Sequence, residues 1–328
     1  MADQPVLTKG VVLEWVRETI AWWRVADLDK DLGIATPAGK TTRRQILHRL
    51  VADGVLEKHL FREGIYRLIL RGFTTLDLDA NADALLDLNW PTDANGMGFG
   101  LHYARIYPKS IVTVAGVKNL GKTTFCLNFV MANLDWPAGL ENDKPHCVYH
   151  TNELASEELS GRLRAFDWVN WRNGTGRPKF LAVERFDAWQ DVVRQFPDSL
   201  HIIDYLDPGE EAFKIGPIID QIRQQLGKGM ALIAIQKRQS TGTRRDGTTY
   251  RQYVDYGVGG QYSEHRARVV IHLNENERRQ NELLIKSCKS WREKNLNGRK
   301  FLFKIEKDGS RFADIREITT EYGEGPRF

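Results

Sequence analysis

The sequence predicts an α/β chain whose mostly parallel sheet ends in antiparallel strands, preceded by a small helical domain with a β-hairpin. Three observations predict it. The stretch Ile111-Val-Thr-Val-Ala-Gly116-Val-Lys-Asn-Leu-Gly121-Lys122-Thr123-Thr124-Phe-Cys-Leu-Asn-Phe-Val130 passes from an apolar strand through Gly-x-x-x-x-Gly-Lys-Thr into a helix-forming segment. Short apolar runs then alternate with helical segments as far as Ile235, the order that builds a parallel sheet with helices on both faces. Beyond that, the runs 268–273, 282–287, 300–305 and 311–315 follow one another without helices, so the sheet is expected to end antiparallel.

At the N-terminus, Val11, Val12, Trp15, Val16 and Ile20 recur at helical spacing, and 25–33 reads as a short helix stopped by Gly33. The segment 39–54 is a second amphipathic helix with Ile46, Leu47, Leu50 and Val51 inward. Two strands follow, 55–60 and 64–70, with Arg62-Glu63-Gly64 between them as a turn. Residues 71–100 hold five Asp and no basic residue after Arg71, and read as an acidic, turn-rich linker. The expected division is 1–72, a linker at 73–105, and a core domain at 106–328. Within the core, strands are expected at 146–151, 181–183, 200–204 and 231–235, with helices near 156–166, 188–196 and 215–226.

A chain of 328 residues, 41% hydrophobic and 27% charged, has the composition of a globular protein with room for two domains. It contains no run of eighteen apolar residues, and Met1-Ala-Asp-Gln-Pro lacks a signal-peptide layout, so a cytoplasmic location is expected. Cys126, Cys147 and Cys288 show neither zinc spacing nor a disulfide framework and read as packing residues. A net charge of +4 does not announce nucleic acid, but its distribution is clustered. Residues 40–49 hold Lys40, Arg43, Arg44 and Arg49 with no acid, and 286–304 hold seven basic residues against Glu293. Solvated faces are the competing explanation for either cluster.

The glycine-rich loop carries the chemistry. Gly116 and Gly121 allow a tight path in which the N–H groups of Val117, Lys118, Asn119, Leu120, Gly121 and Lys122 turn toward one anion, at the positive end of a helix. Lys122 is placed for the β and γ phosphates of ATP. Thr123 is placed for Mg²⁺, with Thr124 beside it. The Asp closing Leu200-His-Ile-Ile-Asp204 is the second candidate metal residue, and His201 reads as a core side chain. Glu153, just past the second core strand, is a candidate general base, although spacing alone leaves that open. Lys237 to Arg251 reads as a long basic loop that would track phosphates with Lys237, Arg238, Arg244, Arg245 and Arg251; a surface loop without such a role is the alternative.

Two resemblances sharpen these expectations. Three helices and a hairpin, with His48-Arg-Leu-Val-Ala-Asp-Gly-Val-Leu-Glu57, resemble a winged helix-turn-helix. The resemblance implies duplex DNA contact by Lys40, Thr41, Thr42, Arg43, Arg44 and His48, with Lys58 and Arg62 on the wing, or else protein docking. The succession of glycine-rich loop, Asn152-Glu-Leu-Ala-Ser-Glu-Glu-Leu-Ser-Gly-Arg-Leu163, Ile202-Ile-Asp-Tyr-Leu206 and Ala231-Leu-Ile-Ala-Ile-Gln236 resembles the RecA-like ATPases, and among them the DnaB-type helicase branch. That resemblance implies Glu153 as catalytic base, Gln236 as the γ-phosphate sensor, and an oligomer in which a neighbour supplies a cation. Arg292 is the candidate, one residue off the family spacing, with Lys289, Lys294 and Arg299 nearby. Gly257 to Glu264 resembles the segment after the family's DNA-binding loops. The family's helical collar is missing, so the organisation resembles the single-core ATPases of phages and mobile elements, and the setting implied is replication or recombination. An ATP-switched DNA-binding regulator or loader and a KaiC-like signalling ATPase are the other readings.

Overall fold

A computed structural model describes residues 7–19, 21–70, 75–136, 144–209, 211–243, 249–276 and 278–318, with backbone alone at 238–243, 249–254 and 307. The chain divides into two units, Met1–Ala80 and Asn81–Phe328.

In the first unit, helix α1 (Lys9–Glu18) starts at Thr8, whose hydroxyl accepts the Val11 N–H and satisfies one free donor of the first turn. Strand β1 (Trp23–Arg24) and helix α2 (Val25–Asp31) follow. Helix α3 (Pro37–Ala52) is capped by Thr36 and has Pro37 at its first position, where no N–H is needed. It buries Ile46, Leu47 and Leu50 against Val12, Val16, Leu28 and Leu56. Strands β2 (Leu56–Lys58) and β3 (Ile65–Leu68) form the hairpin, with β1 added to the other edge of β3. Three helices and a hairpin are thus observed. Ile20 lies outside the described residues.

The second unit is built on one sheet. Its strands are β4 (Ile111–Gly116), β5 (Cys147–Thr151), β6 (Leu181–Glu184), β7 (Leu200–Leu206), β8 (Met230–Thr243), β9 (Thr249–Gly257), β10 (Val269–Glu275), β11 (Asn281–Cys288), β12 (Lys300–Glu306) and β13 (Arg311–Ile318). The order across the sheet is β13-β12-β11-β10-β4-β8-β7-β5-β6, and β9 pairs with the far end of β8. Pairs from β10 through β4, β8, β7 and β5 to β6 are parallel. The pairs β10–β11, β11–β12 and β12–β13 are antiparallel.

Strand β4 is buried at every residue because helices cover both sides of the parallel half. Helices α4 (Lys122–Ala132) and α5 (Ser156–Arg164) share one layer with Val114, Ile202 and Leu232. Helices α6 (Trp189–Gln195) and α7 (Ile215–Gln225) pack on Ile203, Ala231 and Ile233 in the other. Alternate residues of one strand therefore serve opposite layers.

Two differences from the sequence expectation have physical causes. The acidic stretch does not remain a linker, because Leu86, Leu88, Trp90, Phe99 and Leu101 pack into the core of the second unit. Phe99 is fully buried at the centre of Phe125, Phe301, Phe303 and Phe312. Within the expected loop at 237–251, residues 237–243 and 249–251 are paired strand, since β8 runs to Thr243 and β9 begins at Thr249. Its threonines favour strand over loop.

Candidate nucleotide-binding site

Four adjacent strands end side by side at the carboxyl edge of the parallel half. Gly116 pairs with Gln236, and Thr151 with Asp204, so β4, β8, β7 and β5 deliver their last residues to one place. The loop Gly116–Lys122 leaves that edge and α4 starts at Lys122. Asn119 and Gly121 take positive φ, 65° and 90°. An alanine at Gly121 would be strained there and would also put its Cβ 2.6 Å from Ile305 Cδ1. A Cβ at Gly116 would meet Leu273 at 3.1 Å. Gly121 is thus required by the path, and Gly116 sits where a side chain would be crowded.

A cleft of about 440 Å³ opens on this loop, lined by Lys118, Thr123, Thr124, Glu153, Gln236 and the β12–β13 turn. Glu153 is held at its rim by a turn in which the Thr151 hydroxyl accepts the N–H groups of Glu153 and Leu154, at 3.2 and 3.0 Å. Lys122 is buried, and its ammonium donates to the Val117 carbonyl at 3.0 Å. Burial lowers its pKa, while the Asp204 and Glu153 carboxylates act against that.

Asp204 lies beneath the loop at 2% exposure, and Tyr149 donates its hydroxyl to one carboxylate oxygen at 2.7 Å. The other oxygen, Oδ1, is buried without a partner. Burial raises the Asp204 pKa, opposed by the Tyr149 and Thr123 hydroxyls and the Lys122 charge. The Tyr149 phenol is pushed up by burial and by the same carboxylate.

These donors fit Mg²⁺ and a polyphosphate. An orphaned carboxylate oxygen beside a threonine hydroxyl matches a hard cation, and a helix start behind a nest of N–H groups matches phosphate. Thr123 and Asp204 would hold the metal; the backbone of Val117–Lys122, with Lys122 and Thr124, would hold the nucleotide.

Lys122, Thr123, Asp204, Glu153 and Gln236, nominated by the sequence, are brought together. Sequence reasoning missed Tyr149, Arg162, Asn281, Ile305 and Gly309. Arg162 on α5 reaches the cleft while paired with Glu158 at 3.2 Å. Period-two counting along β5 could have found Tyr149, because it puts Tyr149 and Thr151 on one face. No local signal marks the other three, which arrive from strands at the far end of the chain.

Arg292 is not at this cleft. It follows strand β11, which is antiparallel to β10, so the end of β11 at Cys288 lies level with Val269 and Val112 at the opposite end of the sheet. Arg292 is exposed there, its N–H on the Tyr103 carbonyl. Arg299 is tied to Glu317 at 2.6 Å, and Lys294 sits over the Tyr103 ring.

The nominated nucleic-acid residues separate into groups. Lys40, Thr42, Arg44, His48, Lys58 and Arg62 are exposed on α3 and the hairpin. Arg43 is not free, because its guanidinium is largely buried in an ion pair with Asp29. Lys237 is a further correction: it is 3% exposed, and donates to Asn274 Oδ1 at 2.9 Å and His272 Nδ1 at 3.2 Å. Its pKa falls to about 8, through burial and then the Lys286 charge. Behind it, His272 Nε2 meets Glu264 at 2.8 Å, and Glu264 takes Lys286 at 2.7 Å. Arg244 and Arg245 lie outside the described residues, as do the side chains of Arg238 and Arg251.

His201 is in the core, paired with His150 at 3.0 Å, and all three cysteines are buried. Among the described residues no His, Cys, Asp and Glu cluster suits a protein-only metal site, and no helix is long and apolar enough to cross a membrane.

The strand order and the loop at the carboxyl edge decide the fold. It is a mixed α/β core, mostly parallel with antiparallel strands at one side, consistent with a RecA-like arrangement. No family description matches the chain, and no curated protein does. Among solved structures, a KaiC-like protein from the hyperthermophilic archaeon Pyrococcus horikoshii OT3 aligns over 70% of this chain and 99% of its own, with 17% identity and a TM-score of 0.44.

Proposed function

We propose that the chain is an ATPase that assembles as a ring or filament and couples Mg²⁺-dependent ATP hydrolysis to DNA binding or translocation. The observation that carries this reading is the unpartnered Asp204 Oδ1, buried beside Thr123 and Lys122 in a cleft that Glu153 and Gln236 also reach. When bound, the metal supplies neutralisation of phosphate charge. Lys122 leaves the Val117 carbonyl and donates to β and γ phosphate oxygens. The Glu153 carboxylate orients the attacking water and takes its proton. Gln236 donates its amide to the γ-phosphate, and because it belongs to the strand that runs on into the β8–β9 extension, a shift there reaches that extension. Arg292, exposed and remote from its own cleft, is the cation that would reach a neighbour's γ-phosphate in the assembly, making turnover depend on it. The N-terminal unit, taken as a winged helix, contacts duplex DNA through Lys40, Arg44 and His48 with Lys58 and Arg62 on the wing. Replication or recombination of a mobile element is the setting this combination suits.

The test is ATP turnover by the wild type and Glu153→Gln without DNA, with single strands and with duplex, alongside light scattering with a non-hydrolysable analogue. Turnover is expected to fall ~10²–10⁴-fold in Glu153→Gln with nucleotide binding retained. Single strands should stimulate the wild type, and the analogue should drive assembly. The exposed basic face of α3 also favours a second reading, an ATP-switched DNA-binding regulator or loader. DNA-indifferent turnover with binding confined to duplex would select it.

A further inference from the structure

We propose that the turn between β2 and β3 is a stacking platform for unpaired nucleobases, formed by Trp22, His59 and Phe61. The inference rests on the reading that the N-terminal unit contacts nucleic acid, and adds a second mode of contact to it.

The turn is a built feature. The His59 N–H donates to the Ile65 carbonyl at 3.0 Å and closes it, and the Phe61 N–H donates to His59 Nδ1 at 3.1 Å. That arrangement leaves Leu60 86% and Phe61 90% exposed. The rings of Trp22 and His59 lie 5.0 Å apart at 64°, and those of His59 and Phe61 6.4 Å apart at 70°. The rings meet edge-on instead of stacking, with Phe61 the most exposed of the three and His59 half-buried between the other two. Trp22 is 44% exposed, whereas Trp23 is 3% exposed, edge-on to Trp15 and stacked on Tyr66. One tryptophan completes the core while its neighbour is turned out.

Charge identifies the occupant. The Arg67 guanidinium lies over Trp22 at 5.2 Å, with Glu57 as its ion partner. Lys58, Arg62 and Arg44 line a cleft of about 560 Å³ between α3 and the turn, and Glu63 is the acid beside them. Exposed aromatic faces flanked by cations suit a polymer that offers phosphates at its edge and flat rings at its centre. A duplex hides its base faces except at an end or an opened step, so the ligand is a single strand or a junction of single and double strands.

The full-length protein would be titrated by fluorescence anisotropy with a single strand of about 20 nucleotides, a blunt duplex, and that duplex with a single-stranded tail. Phe61→Ala is expected to weaken single-strand and tailed binding about tenfold and to leave blunt duplex unchanged. Trp22→Ala should do the same, Trp22→Phe should restore binding, and single-strand quenching of tryptophan fluorescence should shrink in Trp22→Phe. Lys58→Ala should weaken all three ligands and lower the salt slope by about one. Single-strand affinity unchanged in Phe61→Ala, with duplex binding intact, overturns the platform and leaves the duplex reading standing; that is also the result if the tip docks a protein. Failure of the wild type to bind any of the three overturns both.

Discussion

Two buried ionic clusters lie next to each other in the second unit, joined by the dipeptide Gln236-Lys237, and they are finished differently. Behind the β8–β9 extension, Lys237, His272, Glu264 and Lys286 form a chain in which each charged or polar atom meets a partner. The carboxyl of Glu264 is pulled up by burial, yet bonds from His272 and Lys286 more than offset this and hold its pKa below the ordinary value. Under the glycine-rich loop, Asp204 is more deeply buried and keeps an oxygen unpaired, so its pKa is raised. A complete network holds a fold together; an incomplete one spends stability to keep a place for something else.

The largest expected effect comes from neutralising the incomplete cluster. Asp204→Asn should cut ATP turnover by orders of magnitude while raising the melting temperature of the nucleotide-free protein at neutral pH. The sign follows from linkage: a carboxyl whose folded pKa is raised costs stability once the pH exceeds its unfolded value near 3.9. Mg²⁺ with nucleotide should stabilise the wild type and not the variant. A lower melting temperature for Asp204→Asn would remove the contrast between the clusters.

Damage to the complete cluster should act the other way. Glu264→Gln removes the charge that pairs with Lys286 and accepts the His272 N–H, and a loss of about 3–5 kcal/mol in denaturant unfolding is expected. A subtler check uses Lys237, whose folded pKa of about 8 lies below its unfolded value. The unfolded chain binds the extra proton between these values, so stability should rise with pH from about 8 to about 10.4. In Lys237→Met that slope should flatten, as measured by melting temperature across the window.

The parts of this site legible in the sequence were those whose reasons are local. A strand, a glycine spacing and a helix start define the loop, and Asp204 and Gln236 each close an apolar run. Ile305, Asn281 and Gly309 were not legible, because the hairpins that carry them reach the loop only through the order of the antiparallel strands. Lys237 looked like a loop cation because one-dimensional reading cannot see that Glu264 and His272 wait behind it. The stretch after Arg71 hid its role differently: five acids made it look solvated, while Leu86, Leu88, Trp90, Phe99 and Leu101, in short alternating pieces broken by turn residues, were the part that packs.

Phe99 also sets a timetable for synthesis. Its ring is enclosed by Phe301, Phe303 and Phe312, so this corner of the core has no closed form until the ribosome has released almost the whole chain. The first unit has its own core, complete by Leu68. Nascent chains halted before Lys300 should then yield a protease-resistant N-terminal fragment and an unprotected remainder, leaving apolar strands to be sheltered for most of translation.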